Sequence, residues 1–319
     1  MGKFLKVDNN LFHERQKESF LKYVLGNKWL YILLAPGMIY LIIFHFVPIY
    51  GILIAFKELN VVKGIWESPW IGLQNFNYLF NSEAFYSILK NSLVFSFLRL
   101  LLGFPAPIIL ALMLNEVRSI AFKRSVQTII YIPHFISWVV VAGIVSNILA
   151  PTSQGVLNSI LGVFGVQPVN LLIKPEYFRQ VVISAEIWKQ AGWGTIIYLA
   201  ALSGIDPNLY EAAIVDGANR LKMIWHITLP GIMSTIIVLL ILRLGRILSN
   251  GFEQIFLLYS PMVYNVADVF ETYTYRVGLQ EGNFGYATAV GLFQSIVGFI
   301  LIVGSNKFSK RGNKEGSLW

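Results

Sequence analysis

IDPNLYEAAIVDGANRLKMIWHITLP, residues 205–230, is the most polar stretch in the second half of the chain, and an apolar run stands on either side of it. Asp206-Pro207 reads as a helix start: aspartate accepts from free backbone N–H groups, and proline suits the first helical position. A short helix is predicted over Asn208–Asp216. Gly217 can take a positive φ and break it. A second helix over about Ala218–Ile227 places Leu221, Ile224 and Trp225 on one side, and Pro230 opens the next apolar run. The segment predicts a helix–turn–helix that either docks a soluble partner or packs on its own bundle, and the residues alone leave both open.

The flanking runs belong to a chain of 319 residues, 55% hydrophobic and only 13% charged, with a mean hydropathy of +0.62. A soluble domain of this size keeps about a quarter of its residues charged. Bilayer is therefore the expected solvent, each spanning helix needing about 20 mostly apolar residues. Six spans are predicted, at about 29–56, 89–114, 126–149, 178–203, 231–251 and 286–305. Pro48 and the Pro105–Pro107 pair predict kinks. The first run is too long for a signal-peptide core and is expected to remain in the mature chain. Cysteine is absent, which excludes disulfides and thiolate metal sites.

Orientation follows from the basic residues. With the N-terminus inside, fifteen of the 25 lysines and arginines fall on the cytoplasmic side, six outside (Lys57, Lys63, Lys90, Lys174, Arg179, Arg276) and four within spans (Arg99, Lys189, Arg243, Arg246). The bias predicts both termini in the cytoplasm of a multi-pass plasma-membrane protein. It also explains the net charge of +8 without nucleic acid. Residues 1–28 are expected to be a cytoplasmic segment with an amphipathic helix over 10–25 lying among lipid headgroups. Residues 29–305 form the six-helix domain, and 306–319 a basic cytoplasmic tail.

Charges inside spans cost several kcal/mol unless paired or wet, and usually face the bundle interior. Arg243 and Arg246 are three apart on the predicted fifth helix and so share a face, with Glu253 further along it. They either brace the bundle, with Glu186 or Glu253 as partners, or line a path for an acidic solute. Sugars need flat apolar faces and hydrogen-bonding groups, which Trp188, Lys189, Gln190 and Trp193 of the fourth span and Asn147 of the third offer. Packing explains such aromatics equally well. No phosphate-binding G-x-x-x-x-G-K-[ST] loop, nucleophile motif or metal spacing of histidines is present, so no catalytic residue, metal or cofactor is expected on this chain.

Glu211-Ala212-Ala213, three residues, Gly217, nine residues, then Ile227-x-Leu229-Pro230 resembles the EAA loop of permeases of ATP-binding-cassette (ABC) importers. The resemblance extends over nearly the whole chain. WIGLQNFNYLF (70–80) with NSL (91–93) is similar to sugar importers of the maltose type. YIPHFISWVV (131–140) and DVFETYTYRVGLQEGNFGYATAVGLFQS (268–295) resemble the permeases for polysaccharide-derived oligosaccharides, of alginate and rhamnogalacturonan type. It implies the all-α type I importer permease fold, and a loop that couples to an ATPase through Glu211, Ala212, Ala213, Asp216, Gly217, Leu229 and Pro230. It also implies a second, different permease, an ATPase dimer holding ATP and Mg, and an extracytoplasmic binding protein that delivers an oligosaccharide. A neutral oligosaccharide is the alternative cargo. A self-sufficient secondary transporter is a weaker rival, because no internal repeat is visible.

Overall fold

The computed structural model describes residues 26–152 and 155–312, without the side chains of 309–312. The predicted amphipathic segment 10–25 and the tail beyond 312 lie outside the described residues. The described chain is helical, with no β-strand and one isolated bridge, Lys57 to Trp70. It divides into two units, Met1–Leu53 and Ile54–Trp319. The first holds α1 (Lys28–Leu41), which runs on through a π turn at Ile42–Phe46 into 3₁₀ helix from Val47. Pro48 has no N–H to give to the carbonyl four residues back, and the ladder changes pitch just before it.

The main helices of the second unit are α2 (Gln74–Asn81), α3 (Glu83–Leu98), α4 (Pro105–Glu116), α5 (Ile120–Phe135), α6 (Trp138–Ile148), α7 (Val156–Val163) and α8 (Pro175–Ser203). They are followed by α9 (Pro207–Val215), α10 (Arg220–Met223), α11 (Met233–Leu244), α12 (Phe252–Leu258), α13 (Phe270–Tyr275) and α14 (Phe284–Gly312). Side-chain caps start several of them: Ser82, Ser119, Ser137, Asp206 and Asn219 each accept a backbone N–H of the first turn. Long α8 packs against α4 and α5. Its residues Phe178, Val182 and Ile183 join Phe95, Ile255 and Val269 in one apolar cluster. Tyr198 and Leu202 join Ala111 and Ile232 in another.

Three spans stand whole: Lys28–Phe56, Glu83–Glu116 and Phe284–Phe308. The second contains a π turn at Arg99–Gly103, where Phe104 donates to the Arg99 carbonyl at 2.8 Å. That turn absorbs the missing N–H of Pro105. The sixth helix runs to Gly312, past the predicted start of the tail at 306.

The third and fifth spans correct the sequence reading. Residues 126–149 are not one helix: α5 and α6 meet at 103° across Ile136-Ser137. Pro133 stands in the last turn of α5, Ile136 and Ser137 are extended, and Ser137 caps α6. The fifth span is bent by 60° at Ile232, and α11 ends at Leu244 rather than near Gly251. The Ile247 carbonyl accepts from Ser96 Oγ and the Leu248 carbonyl from Gln294 Nε2 (2.9 Å). Tertiary donors thus replace the helix ladder, and Arg246 lies in the turns beyond the helix that holds Arg243.

Candidate functional site

The 205–230 segment folds as the predicted helix–turn–helix. Asp206 Oδ1 accepts from the Asn208 N–H at 3.0 Å, and Pro207 is the first residue of α9. The helix closes on Gly217, whose φ is +75°. Gly217 N donates to the Ile214 carbonyl (3.1 Å) and Ala218 N to the Ala213 carbonyl (2.8 Å), the paired bonds of a Schellman end. Two corrections follow. Glu211 lies beyond the first turn of α9, so the helix macrodipole gives it less than the sequence reading assumed. The second helix starts at Arg220 and becomes a π turn at Ile224–Thr228.

Tyr210 Oη and Thr228 Oγ1, 3.0 Å apart, clip the two halves together. Arg220 pairs with Glu116 at the end of α4, which ties the hairpin to the bundle. Glu211, Ala212, Asp216, Gly217 and Pro230 are exposed, and Ala213 and Leu229 are half-buried. Leu209, Ile214, Val215, Leu221 and Trp225 are exposed beside them. Five large apolar side chains on one short hairpin form a surface that a contact partner would cover.

The second site is a charged cluster at the middle of α8. Each of the three nitrogens of buried Arg99 donates a hydrogen bond. Its Nε donates to Glu186 Oε2 at 2.5 Å, Nη1 to Asn250 Oδ1 at 2.7 Å, and Nη2 to Gln254 Oε1 at 3.2 Å. Those acceptors are themselves fixed: Gln254 Nε2 donates to the Val182 carbonyl (2.6 Å), and Asn250 Nδ2 to the Ser92 and Leu248 carbonyls. Arg243 differs. Its side chain is 41% exposed, and its one ion pair among the described residues is Nη2 to Glu186 Oε1 at 3.4 Å. Beside the cluster, outside the predicted spans, Glu271 Oε1 accepts from the Asn250 N–H at 2.6 Å. Burial pushes the Glu271 carboxyl above the usual carboxylate range, against the pull of that bond and of Arg99.

The other expected path residues separate. Lys189 is buried, and its ammonium donates to the carbonyls of Pro133 (3.3 Å), His134 (2.7 Å) and Ile136 (2.5 Å). It thereby fills the end of α5 left open by the bend. The helices come this close because residue 192 is glycine: a Cβ there would lie 1.9 Å from the Ile130 carbonyl oxygen. Gln190 Oε1 sits 2.9 Å from His134 Nδ1, and Trp193 stacks on the same imidazole at 4.4 Å. Trp188 is two residues from Glu186, about 200° around the helix, and exposed. Asn147, Arg246 and Glu253 are exposed, and Arg246 and Glu253 form no ion pair among the described residues. Asn250, Gln254 and Glu271 escaped the sequence reading. A polar residue at the end of a span or between spans carries no signal of which distant charge it will meet.

An all-helical multi-pass bundle with a rigid, apolar hairpin at the connection of its fourth and fifth spans is the architecture of an importer permease. The family model described as binding-protein-dependent transport system inner membrane component matches residues 103–312, more than half of the chain, and the chain belongs to that family. The polygalacturonan/rhamnogalacturonan transport system permease protein YteP of Bacillus subtilis (strain 168) is 46% identical over 310 residues, covering 97% of this chain and 96% of that protein. A solved structure of a bacterial ABC transporter involved in import of the acidic polysaccharide alginate has a chain 48% identical to this one. Its TM-score is 0.86, with 93% of this chain and all of that chain covered (100%). A second structure of the bacterial alginate ABC transporter, in complex with an alginate pentasaccharide-bound periplasmic protein, gives a TM-score of 0.85 at 47% identity. This chain is therefore the permease subunit of a sugar ABC importer, of type I fold, which works with a second permease and an ATPase.

Proposed function

We propose that this permease imports an acidic oligosaccharide derived from a polysaccharide, and that Arg243 meets a sugar carboxylate during passage. One observation carries the reading: of the two arginines that share Glu186, Arg99 donates from all three nitrogens, whereas Arg243 has one long ion pair among the described residues and a side chain 41% exposed. A guanidinium stays protonated and offers a fork that fits a carboxylate. The similarity to permeases named for alginate and for polygalacturonan supports the same class. Arg246, exposed nearby, adds positive charge to the approach.

In this reading the hairpin couples transport to ATP hydrolysis. Glu211, Ala212, Ala213, Asp216 and Gly217, with the exposed apolar side chains around them, seat against the ATPase, and Leu229-Pro230 passes the motion into the fifth span. ATP and Mg are held by a partner ATPase dimer and not by this chain. The second permease is a different chain, an extracytoplasmic binding protein delivers the sugar, and both termini face the cytoplasm. The test replaces Arg243 and Arg246 by glutamine and measures uptake of a uronic-acid oligosaccharide against its carboxyl-reduced form. Selective loss of the acidic substrate, with the complex assembled, is expected. Equal loss of both with poor assembly makes the arginines braces of the bundle and removes them from the sugar path.

A further inference from the structure

The carboxylate of Glu186 stands between two arginines and is not shared equally. Its Oε2 is 2.5 Å from Arg99 Nε, in a pair whose side chains are 8% and 17% exposed. Its Oε1 is 3.4 Å from Arg243 Nη2, beyond the usual range of about 2.7–2.9 Å for a charge-assisted bond. Arg99 cannot leave without stranding the amide oxygen of Gln254 and leaving that of Asn250 with only the Ser96 hydroxyl at 3.3 Å, and both amides are held in place by other bonds. Glu186 is one of the residues within the reach of Arg243 that could neutralise it, and it is engaged elsewhere.

We infer that Arg99 is a positioning residue for specificity: it holds Glu186 away from Arg243, so that Arg243 keeps a donor edge for an anionic group of the cargo. The inference rests on the acidic-substrate reading and adds a mechanism to it. Without Arg99, Glu186 is free to swing onto Arg243, close the pair and remove the positive site. A carboxylate on the cargo then competes with one on the protein at much higher local concentration.

The test uses the assembled transporter in proteoliposomes with its binding protein, a uronic-acid pentasaccharide and the carboxyl-reduced neutral counterpart. Three variants are compared with the wild type: Arg99→Gln, Arg99→Gln with Glu186→Gln, and Arg99→Lys. None of them leaves a buried charge without a partner, because Glu186 pairs with Arg243 in the first, is gone in the second and keeps a cation in the third. In Arg99→Gln the ratio of acidic to neutral uptake should fall about tenfold, the worth of one charge-assisted hydrogen bond. The double variant should restore it, since the competitor is removed, and Arg99→Lys should keep it. An unchanged ratio in Arg99→Gln overturns the inference, as does an assembled double or lysine variant without the acidic preference. If Arg99→Gln does not assemble, those last two variants decide alone. A wild-type transporter that takes both sugars equally sinks the acidic-substrate reading, and Arg243→Gln at the wild-type ratio removes Arg243 from it, results separate from any behaviour of Arg99.

Discussion

Gly217 offers a clean test of the coupling hairpin. Its φ of +75° lies in the left-handed region, yet nothing stands within 4 Å of a Cβ built on it. Substitution therefore acts through the backbone and not through a clash. Alanine there costs about 1–2 kcal/mol, the ordinary penalty of an L-residue in that conformation. Asparagine costs less, because its side chain tolerates the region. Proline cannot adopt a positive φ at all and also deletes the Gly217 N–H bond to the Ile214 carbonyl, so about 3 kcal/mol or more is lost and the hairpin opens. The series Asn, Ala, Pro should leave the permease in the membrane while retention of the ATPase and sugar-stimulated hydrolysis fall in that order. Glu211→Lys should weaken the same association without opening the hairpin. Wild-type transport by an assembled Gly217→Pro variant would refute the coupling role.

Other outcomes follow from the same geometry. A cysteine at Lys63 should react with an impermeant thiol reagent in intact cells and one at Lys310 should not; labelling at 310 from outside would reverse the topology. Lys189→Met strips the donor from three carbonyls at the α5–α6 bend, and about 3 kcal/mol of stability should go with it, read as lower thermal stability of the purified complex. Trp188→Ala, on the exposed side of α8, should cost far less. For Glu271 the sign is worked from its raised pKa: the folded state favours the protonated form, so the ionised carboxyl destabilises increasingly as pH rises through the folded value. Glu271→Gln should therefore raise apparent melting temperature more at about pH 8 than at about pH 5, and an equal or opposite change would place the carboxyl in a favourable ion pair.

Much of the architecture was legible because membrane helices announce themselves in one dimension. A run of about 20 apolar residues is sufficient to mark a span. Glu83–Glu116 and Phe284–Phe308 fall where hydropathy puts them, each a few residues longer at its ends. Pro175–Ser203 is a continuous helix at the predicted fourth span but falls short of a span by apolarity, because it carries Glu176, Arg179, Glu186 and Lys189. The hairpin was legible for a different reason: Asp206-Pro207 and Gly217 are local start and stop signals whose chemistry acts within four residues. The break at Ile136-Ser137 was also written there, as a proline in the last turn followed by a capping serine, but an unbroken hydropathy signal hid it.

What the sequence by itself determined was the helical bundle and the helix–turn–helix over 205–230. Only the tertiary structure decided which charges are spent and which are available. Arg99, Lys189 and Arg243 look alike as cations in apolar runs. Each nitrogen of Arg99 donates, to Glu186, Asn250 and Gln254; Lys189 is filled by three carbonyls from the end of α5; and Arg243 has, among the described residues, one ion pair at 3.4 Å. Those partners lie dozens of residues away in the chain. A charge in a low-dielectric interior is governed by what stands within about 3 Å of it, and that neighbourhood is made by packing rather than by adjacency along the sequence.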